Sequence, residues 1–342
     1  RSSELLAGAT VDGDVTLKGN LTATGAVRFP GATIHGQLVM TDATLTNETG
    51  DSLTLDGAVI AGGACLRNLT AIGEVRFPGA TIHGQLVMTD ATLTNKTGEA
   101  LTLQAAKIDQ LWLTEAFTVT AGTVNLVFAD IGILHTHRRQ PPPELYLTGW
   151  RLGSIFGPLM NDPQAAISWL NTVPKSAFAV QPWHEVAAVY ERNGKPAEAK
   201  LLRYQAAKQV SPRIGEQPPP LLDHKGVRAV YRGSAQALRW LYKIFAGYGY
   251  YPMWAGIWLI GFCALAGLLV YLWGPVGVAA PPGFNPWLYG LATVAPPMSI
   301  IPTSWSVTDP LWLAWALVGL KGLGWVQTGL LLGTLTGLLK KG

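Results

Sequence analysis

The residues able to do chemistry in this chain are few, and their spacing builds no reaction centre. His35 and His83 hold equivalent places in two copies of one sequence block. Stacked as β-coils at ~4.8 Å per coil, two coils apart, these imidazoles lie roughly 10 Å from each other. A shared metal needs ligand distances near ~2 Å, so both read as solvent-facing residues of a repeated strand. His135 and His137 form an H-x-H pair ahead of Arg138 and Arg139, but no third ligand stands nearby. His184 and Glu185 are adjacent, and adjacent residues on a helix point in different directions. Cys65 and Cys263 lie in segments of different character, which gives neither a disulfide framework nor a metal site. There is no G-x-G-x-x-G between strand and helix, no C-x-x-C, and no pair of catalytic carboxylates. The expectation is a protein that is not an enzyme, with no cofactor, no metal and no small-molecule substrate.

The cations say more. Arg28 and Arg76 recur 48 residues apart and form a ladder on one face, with Glu74 beside Arg76. That face is either simply solvated or a docking stripe. Lys225, Arg228, Arg232, Arg239 and Lys243 fall within ~60° on a helical wheel, with Val227, Val230, Leu238, Leu241 and Phe245 opposite. This is the layout of an interfacial helix, in which each cation is worth ~1 kcal/mol against an anionic leaflet. A helix packed on a soluble domain is the alternative. The net charge of +4 is modest and the stripe is short and abuts an apolar segment, so nucleic acid is not expected. Lys321 is the one charge inside two long apolar segments. Such a residue is a candidate functional site, and it either snorkels to the phosphates or meets a pore or a partner.

The elements that position these residues begin with a repeat. Gly25–Leu55 recurs as Gly73–Leu103 with four differences. A shorter unit, G-A-x-[IV]-x-G-x-[LVA]-x-[LM], starts at Gly8, Gly31, Gly57 and Gly79, with degenerate copies near Ala105, Ala129 and Gly149. The steps alternate between about 22 and 26 residues. Alternating Ile34, Leu38, Met40 and Ile82, Leu86, Met88 carry strand periodicity. About seven coils of a parallel β-solenoid are predicted over residues 1–160, with apolar ladders inside. A β-sandwich is the alternative, and it does not explain two near-identical blocks in register. The N-x-T sequons at Asn20, Asn47, Asn68 and Asn95 suit solenoid corners.

Over residues 161–215 a small helical hairpin is predicted. Pro182 opens one helix, Gly194 follows its end, and Pro196 opens the next. Its expected role is to cap the open end of the solenoid, with peptide binding as the other reading. After a breaker-rich linker, SPRIGEQPPP, the basic amphipathic helix occupies residues 216–246 and a two-span hairpin residues 247–342.

From Ile244 to Thr308 there is no Asp, Glu, Lys, Arg or His. Met253–Trp273 is about as long as the ~20 residues a helix needs to cross a bilayer, and Leu311–Leu339 is a second such segment. Asn285 and Pro286 open a short helix ending before Pro296, too short to span and so re-entrant or interfacial. Gly329, Gly333 and Gly337 give small-xxx-small twice, for packing within the chain or between copies. Trp273, Trp287, Trp305 and Trp312 suit one aromatic belt, and Tyr248, Tyr250, Tyr251 and Trp254 the other. Cations flank the outer ends of the pair and the connecting loop has none. The positive-inside rule therefore places both termini, and the solenoid, in the cytoplasm.

Three stretches, VAAVYERNGKPAEAKLLRYQAAK, GYGYYPMWAGIWL and FNPWLYGLATVAP with GWVQTGLLLGTLTGLLKK, carry a resemblance. Together with the coil pattern they resemble a group of bacterial membrane proteins with an N-terminal β-solenoid and a C-terminal two-span hairpin. Tyr251 stands where that group usually has Arg. The group is often labelled membrane-associated oxidoreductase, which no motif in this chain supports. The resemblance implies the architecture and a bacterial inner membrane.

The expected function is a non-enzymatic scaffold or accessory subunit of a larger membrane complex. Its partners are the lipids of the anionic inner leaflet and other membrane subunits or further copies of itself. The alternative is an oligomeric two-span pore gated by the solenoid. Two spans with a short helix between them resemble simple ion channels, but APPMSII follows the helix where a TVGYG filter is needed.

Overall fold

The computed structural model describes residues 3–4, 7–17, 21–114, 116–136, 144–210, 240–241, 244–245, 252–274, 283–295, 305, 307 and 309–335. They fall in two compact units, Arg1–Ala206 and Ala207–Gly342.

In the first unit the repeat winds into a parallel β-solenoid of about six turns, built from two facing sheets. One row across the second sheet aligns Thr10, Thr33, Val59, Thr81, Lys107, Asp130 and Arg151. The steps between them are 23, 26, 22, 26, 23 and 21 residues, close to the alternation the sequence predicts. Every second side chain on a strand points inward, so Ile34, Ile60, Ile82, Ile108, Ile131 and Leu152 stack as one buried ladder. Leu53, Val75, Leu101, Val124 and Leu145 form its counterpart on the first sheet. Each such side chain contributes ~1.5–3 kcal/mol on burial.

The G-A pair that begins each repeat makes a corner. Gly8, Gly31, Gly57, Gly79, Ala105, Phe128 and Gly149 all have φ between 55° and 75°. The following residue, Ala32, Ala58, Ala80, Ala106 or Ala129, is buried at the bend. A left-handed conformation costs a residue with a Cβ roughly 1–2 kcal/mol, so Ala105 is the wrong residue for its place. Ala105→Gly is expected to stabilise the solenoid by about 1 kcal/mol. Urea unfolding of the full chain followed by circular dichroism, compared with Gly31→Ala as the reverse change, checks this.

Two strands, Thr44–Thr54 and Thr92–Thr102, carry an outward excursion. Asn47 Nδ2 donates to the Asp51 carbonyl at 2.7 Å, and Asn95 Nδ2 to the Glu99 carbonyl at 2.6 Å. These two sequon asparagines therefore lie mid-strand with their amides engaged, not at corners. Asn68, with φ 55°, is a corner residue. Asn20 lies outside the described residues. The coil next to each excursion supplies a glycine, because a Cβ at Gly73 meets the Asn47 carbonyl at 2.4 Å and one at Gly122 meets the Asn95 carbonyl at 2.7 Å.

The last strand, Arg151–Phe156, is followed by α1 (Pro158–Asn161), α2 (Pro163–Asn171), α3 (Gln181–Arg192) and α4 (Pro196–Val210). Trp169, Trp183, Val186 and Tyr190 bury into the same apolar core as the coils. The helices thus complete the solenoid within one compact unit, and no domain boundary separates residue 160 from 161.

The second unit contains α5 (Pro252–Trp273), α6 (Pro286–Val294) and α7 (Leu311–Leu335). Two of them, over Met253–Trp273 and Leu311–Gly333, are long and apolar enough to cross a membrane. Asn285 caps the short α6, its side chain accepting from Trp287 N at 3.0 Å and Leu288 N at 3.1 Å, with Pro286 in the first turn. α7 turns Leu313, Leu317, Leu320, Gly324 and Gln327 inward, a 4-3-4-3 seam. α6 is seated between the long helices by glycines. A Cβ at Gly290 lies 2.3 Å from Gly267 N, and one at Gly324 lies 2.2 Å from the Val294 carbonyl.

Candidate functional site

The outer face of the first sheet carries a polar ladder. Arg28, Thr54, Arg76, Thr102, Asn125 and Tyr146 align across successive strands. Arg28 and Arg76 are therefore two coils apart on one face, but their surroundings differ. Arg76 makes a two-pronged contact with Asp56, Nε to Oδ1 at 3.1 Å and Nη2 to Oδ2 at 2.8 Å. Asp51 at 3.8 Å and Glu74 at 4.0 Å complete its surroundings. Arg28 has a buried Nε with no partner among the described residues.

Beside Arg76, three coils contribute to one network. Thr102 Oγ1 lies 2.7 Å from Glu74 Oε1 and also contacts Glu99 Oε2. Asn125 Nδ2 donates to Glu99 Oε1 at 2.8 Å. A threonine hydroxyl has a single hydrogen and cannot donate to two carboxylates at once. Burial raises the Glu74 pKa, the Thr102 contact and the Arg76 charge oppose it, and Asp51 and Glu99 add to it. Glu74 therefore holds a proton more readily than an ordinary glutamate.

A group with a raised folded pKa stabilises the fold fully below its unfolded value, near ~4.3 for Glu. That contribution fades as pH rises through the folded value. Glu74→Gln, which donates to Thr102 without a proton to lose, is expected to stabilise the solenoid at pH 8 by about 1 kcal/mol. Its advantage should shrink towards pH 5. Thermal unfolding at several pH values checks the trend, and an advantage that grows on acidification contradicts it.

The second sheet has an aromatic ladder outside. Val87, Trp112, His135 and Phe156 align across four strands. Trp112 and His135 stack at 3.9 Å between centroids, and His135 and Phe156 at 5.3 Å. Burial lowers the His135 pKa, and its ring is used in stacking. His137, Arg138 and Arg139 lie outside the described residues. Among the described residues no group of three or more His, Cys, Asp and Glu stands close enough to hold a metal. His35 and His83 occupy matching places two coils apart and are exposed. His35 Nδ1 lies 3.1 Å from Asp12 Oδ1.

At the C-terminal end, α3 closes the edge of the final strand with side chains. Glu185 Oε1 accepts from Leu152 N at 3.0 Å, and Gln181 Nε2 donates to the Trp150 carbonyl at 2.6 Å. Arg192 Nη2 donates to the carbonyls of Leu152 at 2.8 Å and Gly153 at 2.9 Å. Glu185 is thus a β-edge cap rather than an acid or base. A cavity of about 20 Å³ lies beneath, lined by apolar atoms of Leu134, Trp150, Trp169 and Val186 among others. Ligand pockets run to ~300–1,000 Å³, so this is a packing defect.

In the second unit Lys321 lies exposed on α7. Gly329 is also exposed, with no atom within 4 Å of a built Cβ. Among the described glycines of this unit, Gly267, Gly290 and Gly324 make close contacts between helices. Gly337 and the cations Lys225, Arg228, Arg232, Arg239 and Lys243 lie outside the described residues. Of the aromatic residues expected at one belt, Trp273 meets Trp312 at 5.4 Å, Trp305 meets Phe284 at 5.3 Å and Trp287 meets Tyr271 at 6.5 Å.

No protein-family model, curated protein or solved structure matches the chain.

Proposed function

We propose that the chain is a non-enzymatic, membrane-anchored scaffold or accessory subunit of a larger bacterial membrane complex. The helices α5 and α7 span the inner membrane with both chain ends cytoplasmic, and the solenoid docks partners on its flat faces. One observation carries this reading: the long helices keep their apolar side chains outside. Met253 is 77% exposed, Ile260 71% and Trp315 69%. In water such a surface is unfavourable by ~25 cal/mol per Å², and lipid removes that cost. The orientation follows from the cations flanking the pair and their absence between the spans. On the first sheet Arg76, Asp56, Glu74 and Glu99 are held by hydrogen bonds and ion pairs, which suits a recognition surface better than a reaction.

Alkaline carbonate should leave the full chain in the membrane pellet. Cysteine labelling should place solenoid positions such as Glu48 on the cytoplasmic side. A photo-crosslinker at one outer sheet face should give a single defined adduct in cells. Solenoid labelling from outside the cell overturns the topology, and adducts equal from both sheet faces overturn the docking role.

A pore is the second reading, favoured by the seat of α6. Its end at Val294 meets Gly324, thirteen residues into α7, about 20 Å along that helix. A re-entrant helix reaching such depth is a pore element in simple channels. Ion flux through liposomes holding the purified protein decides between them.

A further inference from the structure

Lys321 sits on α7 with its side chain exposed, and among the described residues no hydrogen bond or ion pair reaches it. Its depth follows from the aromatic contacts. Trp312 packs edge-on against Trp273, so the end of α5 and the start of α7 share one level. Lys321 comes nine residues after Trp312, about 14 Å along the helix. With a hydrocarbon layer ~30 Å thick, that is close to the middle. A stem of four methylenes extends roughly 6 Å, which reaches neither interface. Snorkelling therefore does not relieve this charge.

Nor do the two spans supply a counter-charge. No acidic residue occurs from Ile244 to Thr308 or after Asp309, and Asp309 is twelve residues from Lys321, about 18 Å away on a helix. A second copy, parallel or antiparallel, brings another mid-depth lysine to the same level and adds repulsion. Charges inside a membrane are paired or line water. On the adjoining face of α7, about 80–100° round the helix from Lys321, Gly322 and Gly329 have open space where a side chain would stand, so a neighbouring backbone can come close along that side.

We infer that α7 docks a different membrane protein, through a transmembrane helix carrying one Asp or Glu at mid-depth opposite Lys321. This rests on the accessory-subunit reading and names the kind of partner it requires. The carboxylate supplies the charge that the two spans lack, and the glycines on the adjoining face leave room for a second backbone.

The test uses the full chain in phosphatidylcholine liposomes, labelled as an energy-transfer donor. The acceptors are designed Leu–Ala transmembrane peptides with a single central Glu, Gln or Lys. The Glu peptide is expected to bind at least ~10-fold more tightly than the other two. Lys321→Arg should keep that preference, Lys321→Leu should abolish it, and Lys321→Glu should transfer it to the Lys peptide. Equal binding of all three peptides overturns the inference, as does a Glu preference that survives Lys321→Leu. Self-association that depends on Lys321 and excludes the Glu peptide also overturns it, in favour of an oligomeric pore. Each variant is first checked for resistance to carbonate extraction. Lost discrimination in an inserted protein defeats this inference alone, whereas failure of the parent chain to insert defeats the accessory-subunit reading with it.

Discussion

Gly290→Val should unseat the short helix α6 and cost the second unit about 3 kcal/mol or more. A Cβ at Gly290 stands 2.3 Å from Gly267 N and 2.6 Å from Gly267 Cα. Both obstacles are backbone of a long helix, so no rotamer change relieves the clash. Overpacking a well-filled core costs ~1–3 kcal/mol, and here the displaced body is a whole helix. Moving α6 also withdraws Val294 from Gly324, where backbone and glycine are again in contact. Gly261 is the control, because a Cβ there meets nothing within 4 Å and Gly261→Val should change little. Unfolding in detergent followed by tryptophan fluorescence reads both variants, since Trp287 touches Gly267. Equal stability of the two variants removes the seat from the account of this unit.

Those glycines also mark how far the sequence could be read. The spacing of Gly329, Gly333 and Gly337 draws the eye because one helix carries all three, whereas Gly267, Gly290 and Gly324 come from three helices and share no period. A rule about i, i+4 spacing sees only one helix at a time. The solenoid was legible for the opposite reason: its ladders repeat, so each coil restates the corner glycine, the buried alanine and the inward Ile or Leu. The N-cap at Asn285 was legible because capping is local.

Beyond the pairing of Glu74 with Arg76, the polar network on the first sheet is not legible in the sequence, since Thr102 and Asn125 bond to Glu74 and Glu99 across 28 and 26 residues. One signal was available. The near-identical blocks differ at Ala26/Glu74, Glu48/Lys96, Asp51/Glu99 and Ser52/Ala100. Three of the acids at those positions, Asp51, Glu74 and Glu99, belong to the network around Arg76 and Thr102. Divergence inside a duplicated block pointed at the polar cluster better than any motif did.

The cap makes the second large prediction. Tyr190 is fully buried, and its hydroxyl donates to the Leu159 carbonyl, tying α3 to α1, the short helix that leaves the last coil. Burial keeps the phenol well above its ordinary pKa, so it stays a neutral donor throughout the usable pH range. Tyr190→Phe removes the hydrogen bond alone and leaves a buried carbonyl unpaired, at a cost of ~1–2 kcal/mol. Tyr190→Ala removes the ring as well, and an aromatic truncated in a core costs ~3–5 kcal/mol. The larger loss should loosen α3, which holds Gln181, Glu185 and Arg192 against the edge strand Arg151–Phe156. An uncovered strand edge pairs with other chains. The Ala variant should therefore show concentration-dependent association in detergent as well as lowered stability, and the Phe variant only a smaller loss of stability. Urea unfolding and light scattering separate the two effects. If Tyr190→Ala loses stability but does not associate, the helices hold the core together without guarding the edge.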